Sequence, residues 1–278
     1  MLAISQLFIY PIKSLGGIAV TQAKLTDRGF EHDRRWMLVD ANNRFLTQRE
    51  FAQMALLKVS LTADGLLVKH AHRSGEQITI PLVPQMDQTD DFIIWDDNIT
   101  GQYVSVAADA WFSKMLDFNC RLVYMPDNSR REVSAKYAAD KLTSLSDGYP
   151  FMMIGQSSLD DLNNRLAEKL PVNRFRPNMV FTGGEPFDED TMGHIKINSI
   201  NFYGVKLCAR CPIPTIDQDT IAKSKEPTKT LLTYRRRNND VYFGQNFVHQ
   251  GEGVISIGDS IEVLEIKEMP NSLKLASI

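Results

Sequence analysis

The chain has 278 residues and a formal net charge of −3, with 43% hydrophobic and 23% charged residues. That composition excludes a disordered or low-complexity chain and is typical of a globular protein with one large or two modest domains. The near balance of 31 basic and 34 acidic side chains argues against a broad nucleic-acid-binding face and leaves room only for a local basic pocket.

The first 120 residues are predicted to form many short strands. Apolar and polar residues alternate with a period of two at 19–26 and more loosely at 56–61, as is typical of half-buried strands, whereas 36–40 is an apolar run. The predicted elements are strands at 4–10, 19–26, 36–40, 56–61 and 66–70, a turn at 40–44 and a helix at 106–116. The predicted buried face of that helix comprises Val106, Ala107, Ala110, Trp111, Met115 and Leu116. So many short strands indicate a barrel or sandwich rather than βαβ units.

A second region is predicted from residue 121 onward. Its predicted elements are an amphipathic helix at 156–170, a buried strand at 178–181, a strand pair within 195–207 that turns at Tyr203-Gly204, and a strand, turn and strand at 253–264. Because no Gly- or Ser-rich linker separates the two regions, we expect them to pack tightly. The predicted fold is mainly β with some helices, of the α+β class, and residues 266–278 are predicted to form a polar C-terminal tail.

The chain has three cysteines, Cys120, Cys208 and Cys211, which are too few for a disulfide framework. Their odd number fits a reducing compartment. No apolar run approaches the roughly 20 residues that span a bilayer, and the start of the chain lacks the basic region of a signal peptide. The sequence therefore predicts a cytoplasmic protein without a membrane partner.

The strongest functional pattern is Cys208-Ala209-Arg210-Cys211, at the predicted end of a strand. Two thiols at this spacing can bind soft or intermediate metals as thiolates. Arg210 favours the ionised form, because a nearby cation lowers the pKa of a thiol. The pattern therefore indicates a thiolate metal site.

Three alternatives stay open for this pair of cysteines. Both thiols could be buried and purely structural. They could be half of a zinc site, for which Cys120 and His194 are the other candidate ligands, although they lack the usual spacing. A thioredoxin-like motif would need a helix that starts at the cysteines, which Pro212 and Pro214 disfavour.

Three basic segments could bind an anion: Asn173–Asn178, Tyr10–Ser14 and His32–Trp36. Guanidinium groups form charge-assisted, bidentate hydrogen bonds with phosphate. Each segment alone is better explained as an ordinary solvated turn. Together with the two thiols, they indicate a site for an anionic, phosphorylated, metal-bearing cofactor.

Six motifs occur in the order of one known family: Tyr10-Pro11-Ile12-Lys13-Ser14, Asp33-Arg34-Arg35-Trp36, Asp147-Gly148-Tyr149-Pro150-Phe151, Leu162-Asn163-Asn164-Arg165-Leu166, Asn173-Arg174-Phe175-Arg176-Pro177-Asn178 and Cys208-Ala209-Arg210-Cys211. Over roughly residues 1–265, the chain resembles a MOSC-domain protein preceded by the β-barrel domain that often accompanies it. Within that family it is similar to the mitochondrial amidoxime reducing component and to bacterial proteins that protect against N-hydroxylated bases. The resemblance implies an N-terminal β-barrel-like domain at 1–120 that packs against a MOSC β-barrel domain at 121–265.

The resemblance also implies a molybdenum cofactor, in which a pyranopterin dithiolene with a terminal phosphate holds the metal. Cys211 would be the protein's ligand to molybdenum. The residues implied to hold the cofactor are Lys13, Ser14, Arg34, Tyr149, Arg176, Asn178, Cys208, Ala209 and Arg210. The residues implied to act near the reaction are Asp147, Thr215, Asp217 and Cys211 itself. At the level of the domain, the family further suggests pyridoxal phosphate binding.

The activity implied by the resemblance is the two-electron reduction of small N-hydroxylated compounds, such as hydroxylamines, amidoximes and N-hydroxylated bases. A plant-type [2Fe–2S] module needs four cysteines, and none follows Cys211, so we expect electrons from a separate flavoprotein or ferredoxin-type donor. One alternative is a carrier of the cofactor or of sulfur that uses Cys211 without redox turnover. Another is a metal-free structural domain with two inert thiols.

Overall fold

The computed structural model of the protein describes residues 1–268 and contains nineteen strands and four α-helices in that range. The strands are β1 (Ala3–Ile9), β2 (Ile18–Val20), β3 (Gln22–Thr26), β4 (Gly29–Phe30), β5 (Trp36–Val39), β6 (Leu57–Thr62), β7 (Gly65–His70), β8 (Gln77–Ile80), β9 (Thr89–Ile94), β10 (Asp97–Tyr103), β11 (Arg121–Tyr124), β12 (Phe151–Gly155), β13 (Met179–Thr182), β14 (Met192–Ile197), β15 (Ile200–Ala209), β16 (Arg236–Arg237), β17 (Asp240–Gln250), β18 (Val254–Ser256) and β19 (Ile261–Ile266). The helices are α1 (Val106–Leu116), α2 (Ala135–Ala138), α3 (Gln156–Arg165) and α4 (Thr228–Leu231). The predicted mainly β, α+β fold is confirmed.

The largest sheet joins the two ends of the chain. It has nine strands, of which eight follow the order β19-β14-β15-β17-β12-β13-β1-β2, and β16 pairs with β17. Its apolar face includes Ile4, Phe151, Phe181 and Phe202, all buried in one cluster. The first strand of the protein is therefore held inside a sheet whose other members lie almost entirely beyond residue 150.

Three smaller sheets complete the fold: β5-β11-β10-β9, β18-β3-β4 and β6-β7-β8. The strand β11 pairs with β5 through Leu122 and Leu38, and with β10 through Val123 and Tyr103. Residues just beyond 120 thus pair with strands of the first region. The domain division at residue 120 stays a prediction. The predicted tail falls outside the described residues from position 269 onward.

The helix α1 has the predicted bounds. Its predicted buried face is confirmed at Met115 and Leu116 and is wrong at Val106, Ala107 and Ala110, which are exposed. Val106 is 71% exposed, whereas Ala108 and Phe112 are fully buried with Met115 and Leu116. The Ser105 hydroxyl accepts a hydrogen bond from the Ala108 backbone nitrogen and caps the helix. The rotation of the helix is set by the packing of Phe112, which the spacing of alanines did not reveal.

The predicted helix at 156–170 is shorter than expected, since α3 ends at Arg165. Leu166 has extended backbone angles, and the Asn163 side chain bonds both the nitrogen and the oxygen of Leu170. These two hydrogen bonds hold the following segment in a loop, because an asparagine side chain competes with helical backbone partners. Leu159 and Leu162 are the buried leucines of this helix.

The predicted turn at Tyr203-Gly204 is also wrong, because both residues lie inside β15. The chain instead turns between β14 and β15 at Asn198, whose φ of 55° is left-handed. The Asn198 amide donates to Asp259 at 2.7 Å. Gly204 occupies a crowded position where a Cβ would overlap Gln245, so it serves close packing rather than a turn.

Strand directions bring four chain segments together at one edge of the largest sheet. The strand β1 is antiparallel to β13, so its end meets the start of β13. The strand β12 is parallel to β13, so the loop before Phe151 reaches the same place. Met153 and Leu207 both pair with Gln245 of β17, which sets the end of β15 level with β12.

Candidate functional site

The four segments enclose a cavity of about 240 Å³. Eleven of the thirteen predicted site residues line it: Lys13, Ser14, Arg34, Asp147, Tyr149, Arg176, Asn178, Cys208, Ala209, Arg210 and Cys211. Residues that are nearly 200 positions apart in the sequence thus share one concave surface, as is typical of a small-molecule site.

The lining of the cavity is strongly cationic. It contains six cationic side chains and, within the described residues, one carboxylate, Asp147. The cations are Lys13, Arg34, Arg49, Arg176, Lys206 and Arg210. Like charges crowded into a partly dry pocket favour an anionic ligand, although the whole chain is slightly acidic.

Asp147 is held between two of these cations. Lys13 Nζ donates to Asp147 Oδ1 at 2.6 Å and to the Leu145 carbonyl at 2.9 Å, and Arg49 donates to Asp147 Oδ2 at 3.0 Å. Burial lowers the pKa of Lys13 to about 8, although the ion pair opposes this. Burial would raise the pKa of Asp147, but Lys13 and Arg49 hold it far below its usual range.

A second group of cations surrounds the Tyr10 ring. The guanidinium carbons of Arg34 and Arg176 lie 4.5 and 4.4 Å from the ring centroid, a cation–π arrangement. The Tyr10 hydroxyl donates to the Pro177 carbonyl at 3.0 Å, and burial raises its pKa to about 12. The neutral ring therefore supports two guanidinium groups without neutralising their charges.

Arg34 and Arg176 differ in how they are paired. Arg34 donates to Asp33 at 2.6 Å and to the Asn178 side chain at 3.2 Å. The Arg176 side chain has no hydrogen-bond or ion-pair partner among residues 1–268, and burial lowers its pKa to about 10. An unpaired guanidinium in a pocket is the group that an anionic ligand would stabilise most.

Backbone geometry and a buried amide place several of these side chains. Ser14, Arg34 and Arg176 have left-handed φ angles of 67°, 50° and 58°. Such angles are uncommon for residues with a Cβ and are retained where the surroundings fix a special orientation. Asn178 is 2% exposed and ties the start of β13 to its neighbours through Met152 and Phe8.

The Cys208–Cys211 segment closes one side of the cavity. Arg210 Nη1 donates to Cys208 Sγ at 3.1 Å, and Arg210 Nη2 donates to the Phe175 carbonyl at 2.8 Å. Arg210 Nε is buried with no protein partner within the described chain. Cys208 and Cys211 are both half-buried free thiols that face the cavity, which disfavours the alternative of two buried structural thiols.

The loop at Tyr149 and the strand β15 form the remaining wall. The Tyr149 and Tyr137 rings meet edge to face at 6.1 Å, and Lys206 Nζ lies 4.8 Å from the Tyr137 centroid. Burial raises the pKa of Tyr149, with smaller contributions from Tyr137 and Cys208. Tyr149 therefore keeps its hydroxyl proton at neutral pH.

Thr215 and Asp217 do not line this cavity, unlike the other predicted residues. The Thr215 hydroxyl donates to the Pro212 carbonyl at 2.7 Å and closes the turn after Cys211. Asp217 pairs with the buried Arg174 at 3.1 Å and accepts hydrogen bonds from Thr220. The turn that contains Pro212 directs both side chains away from the cavity. Their contacts are those of residues that stabilise the loop after Cys211.

Arg49 and Lys206 line the cavity but were not among the predicted residues. Arg49 belongs to the segment Thr47-Gln48-Arg49, which carries no anion-binding pattern in the sequence. Lys206 lies inside a strand, where alternation predicts a solvent-exposed lysine. Only the three-dimensional approach of loop 45–50 to the loop at Asp147 reveals the role of Arg49.

The zinc alternative has no geometric support in the described chain. Within residues 1–268, no group of three His, Cys, Asp or Glu side chains is arranged to hold a metal ion. Cys120 is buried against Ser113, and His194 Nε2 contacts Asn201 Oδ1 at 2.9 Å. Neither side chain lines the cavity that contains Cys208 and Cys211.

The fold and the cavity define a β-rich protein with a cationic, thiol-bearing pocket for a small anionic group. Residues 1–119 match the MOSC N-terminal beta barrel domain, and residues 140–262 match the MOSC domain. The mitochondrial amidoxime-reducing component 1 of Mus musculus is 30% identical, over 94% of this chain and 82% of the mouse protein. The Homo sapiens protein of that name is 29% identical over the same shares. The chain therefore belongs to the MOSC family and is a homologue of the mitochondrial amidoxime-reducing components.

Two further comparisons are with a plant protein and a solved bacterial structure. The molybdenum cofactor sulfurase of Arabidopsis thaliana is 28% identical over 85% of this chain but only 32% of the plant protein. The solved structure of the YuaD protein from Bacillus subtilis covers 94% of each chain at 9% identity, with a TM-score of 0.40. The names of the curated relatives link the family to the molybdenum cofactor and to oxidoreduction. None of the helices within residues 1–268 is long and apolar enough to cross a bilayer.

Proposed function

We propose that the protein binds the molybdenum cofactor in this cavity and reduces N-hydroxylated compounds. The observation that carries the proposal is that Cys211 shares one surface with cations from both halves of the chain. Lys13 and Arg34 come from the first half, and Arg176 and Arg210 come from the second. A thiolate ligand and a cluster of guanidinium groups are the donor set that a metal with a phosphorylated organic ligand requires.

The residues present are suited to that cofactor. Arg210 Nε is a buried donor without a protein partner, and the Arg176 side chain is unpaired among the described residues. A buried donor left without an acceptor costs roughly 1–3 kcal/mol, which a phosphate or pterin acceptor would offset. Cys208 already accepts a hydrogen bond from Arg210, which leaves Cys211 as the thiol available to a metal.

The proposal assigns a separate role to each group of residues that lines the cavity. Arg34 and Arg176, stacked on Tyr10, hold the phosphate, and Cys211 ligates molybdenum. Ser14, Asn178, Ala209 and Arg210 hold the pterin, and Cys208 orients Arg210. Lys13 Nζ and the Tyr149 hydroxyl hold protons at the cavity wall. We assign no part of the site to pyridoxal phosphate.

The reaction converts an N–OH group, two electrons and two protons into an N–H group and water. The bound cofactor would supply the two-electron redox chemistry, and the protein supplies binding, orientation and charge. A separate flavoprotein or ferredoxin-type donor provides the electrons. The relatives named as amidoxime-reducing components support amidoximes as one substrate class.

The test is reduction of benzamidoxime by protein from cells that synthesise the cofactor. Reduced methyl viologen serves as the electron donor, and benzamidine is the measured product. We expect turnover that is lost in Cys211→Ala. A wild-type protein that contains molybdenum but forms no benzamidine would contradict the reductase proposal.

A second candidate function is a carrier of the cofactor or of sulfur. It is favoured by the match to part of a molybdenum cofactor sulfurase. In that case Cys211 would bind the cofactor or carry a persulfide without redox turnover. Transfer of molybdenum cofactor from this protein to a cofactor-free molybdoenzyme, together with the absence of benzamidoxime reduction, would favour the carrier.

A further inference from the structure

Arg49 and Lys206 are the two cavity cations that the proposed function does not yet use, and of these Arg49 is paired with Asp147. It reaches the site from the loop after Phe45 and lies against the loop at Asp147, far away in the sequence. Its guanidinium lies 4.7 Å from the centroid of Trp95, and Nη1 donates to the Thr47 hydroxyl at 3.1 Å. These contacts fix the direction of the side chain, which is still 21% exposed.

Four of the other five cations are committed elsewhere, and the fifth, Lys206, lies over the Tyr137 ring. Lys13 is 5% exposed and donates to Leu145 and Asp147, and Arg34 is paired with Asp33. Arg176 lies over Tyr10, and Arg210 donates to a backbone carbonyl and to a thiol. Arg49 alone among these side chains combines partial exposure with a position beside both Asp147 and Cys211.

Arg49 also keeps donors free for a ligand. The guanidinium group has five N–H donors, and Thr47 and Asp147 accept from two of them. Because the guanidinium group of arginine is not deprotonated in proteins, the side chain stays charged throughout the reaction and acts as a hydrogen-bond donor, not as an acid.

We propose that Arg49 binds the oxygen of the substrate's N-hydroxyl group in front of Cys211, an inference that rests on the proposed function. When the N–O bond breaks, its electron pair leaves with the hydroxyl oxygen, which takes up one proton and departs as water. The nitrogen receives the two electrons that the separate donor supplies and the second proton, and so forms the N–H bond. A fixed cation beside the leaving oxygen stabilises the charge that develops there, and Asp147 holds that cation in place.

The test compares three variants that are loaded with cofactor. Arg49→Gln removes the charge, Arg49→Lys keeps it, and Arg44→Gln is a matched control, since Arg44 is exposed on the same loop and does not line the cavity. We expect kcat/KM for benzamidoxime to fall about 10- to 100-fold in Arg49→Gln, less in Arg49→Lys, and not at all in Arg44→Gln. Molybdenum content and the thermal midpoint are expected to match wild type in all three.

A second readout does not depend on turnover. Titration calorimetry without an electron donor measures the binding of benzamidoxime to the loaded protein, and we expect weaker binding in Arg49→Gln than in Arg44→Gln. Unchanged affinity and kcat/KM in Arg49→Gln would overturn the inference, as would loss of molybdenum in that variant, which would make Arg49 a cofactor-binding residue. A loaded wild-type protein without reductase activity would instead overturn the proposed function.

Discussion

At the scale of single residues, Arg176 differs most clearly from the other cations of the cavity. Its guanidinium is stacked on Tyr10 and has no ion pair in the described part of the chain. Arg165 is a comparable arginine outside the cavity, where it forms an exposed ion pair with Asp161 at 2.9 Å. Exposed pairs of this kind contribute little to stability, so Arg165 is a fair control.

We therefore expect Arg176→Ala to retain less cofactor than Arg165→Ala after purification. Each charge-assisted hydrogen bond to a phosphate is worth roughly 1.5–3 kcal/mol, which corresponds to a loss of affinity of about 10-fold or more. The measurement is molybdenum per chain after gel filtration. Equal retention in the two variants would remove the phosphate assignment.

The site residues that the sequence revealed share one property: they lie in short local motifs. Lys13, Arg34, Arg176 and Cys211 each belong to a compact segment whose composition indicates anion or metal binding. Arg49 lies in no such segment, because its role arises only from contact with Asp147, almost a hundred residues later. A sequence without aligned relatives carries no direct sign of such a contact.

At the scale of elements, a buried acid in the segment before β14 contacts the start of α3 and explains a local departure from ordinary capping. Glu189 is fully buried, and its carboxylate accepts a hydrogen bond from Ser158 at 2.7 Å. Ser158 accepts in turn from the Phe187 nitrogen at 2.8 Å. Ser158, in the first turn of α3, thus ties the helix to the segment before β14 instead of capping its own helix.

This buried acid predicts a pH dependence of stability. Burial, helped by Asp190, raises the pKa of Glu189 to about 7 from 4.5. A raised pKa means that the folded state binds the proton more tightly, so this stabilisation is present below pH 4.5 and is lost as the pH rises through 7. Glu189→Gln removes the titration but keeps an acceptor for Ser158.

We expect Glu189→Gln to gain stability relative to wild type as the pH is raised from about 5 to about 8. Urea unfolding midpoints at the two pH values measure the change. Glu185→Gln is the control, because Glu185 is exposed in the same segment. A difference between Glu189→Gln and wild type that does not vary with pH would show that Glu189 does not titrate in this range.

The elements themselves were predictable where a run of apolar residues was bounded by turn residues, as in β1, β5 and β7. Predictions failed where tertiary packing decided the outcome. Phe112 turns α1 away from part of its predicted face, Asn163 ends α3 early, and Gly204 lies in a crowded position inside β15 instead of at a turn. In each case a long-range or side-chain contact outweighed the local pattern.

At the scale of the whole molecule, the two ends of the chain share one sheet and one cavity. The strand β1 pairs with β13, and Tyr10 donates to the Pro177 carbonyl. Lys13 and Arg49 both pair with Asp147 across the same boundary. These contacts predict that neither region unfolds without the other.

Unfolding in urea tests this coupling. The three tryptophans, Trp36, Trp95 and Trp111, all lie within the first 120 residues, so their fluorescence reports that region alone. Far-ultraviolet circular dichroism reports both regions. We expect the two probes to give one coincident transition, whereas separate midpoints would show independent domains.

The most direct test of the whole account is elemental analysis of the purified protein, combined with release of the pterin as a fluorescent oxidation product. Protein made in cells that synthesise the cofactor is compared with Cys211→Ser and with Cys208→Ser as the matched control. The account predicts about one molybdenum and one pterin per chain in wild type, partial retention in Cys208→Ser and loss of most molybdenum in Cys211→Ser. Wild-type protein without molybdenum, or greater loss in Cys208→Ser than in Cys211→Ser, would contradict it.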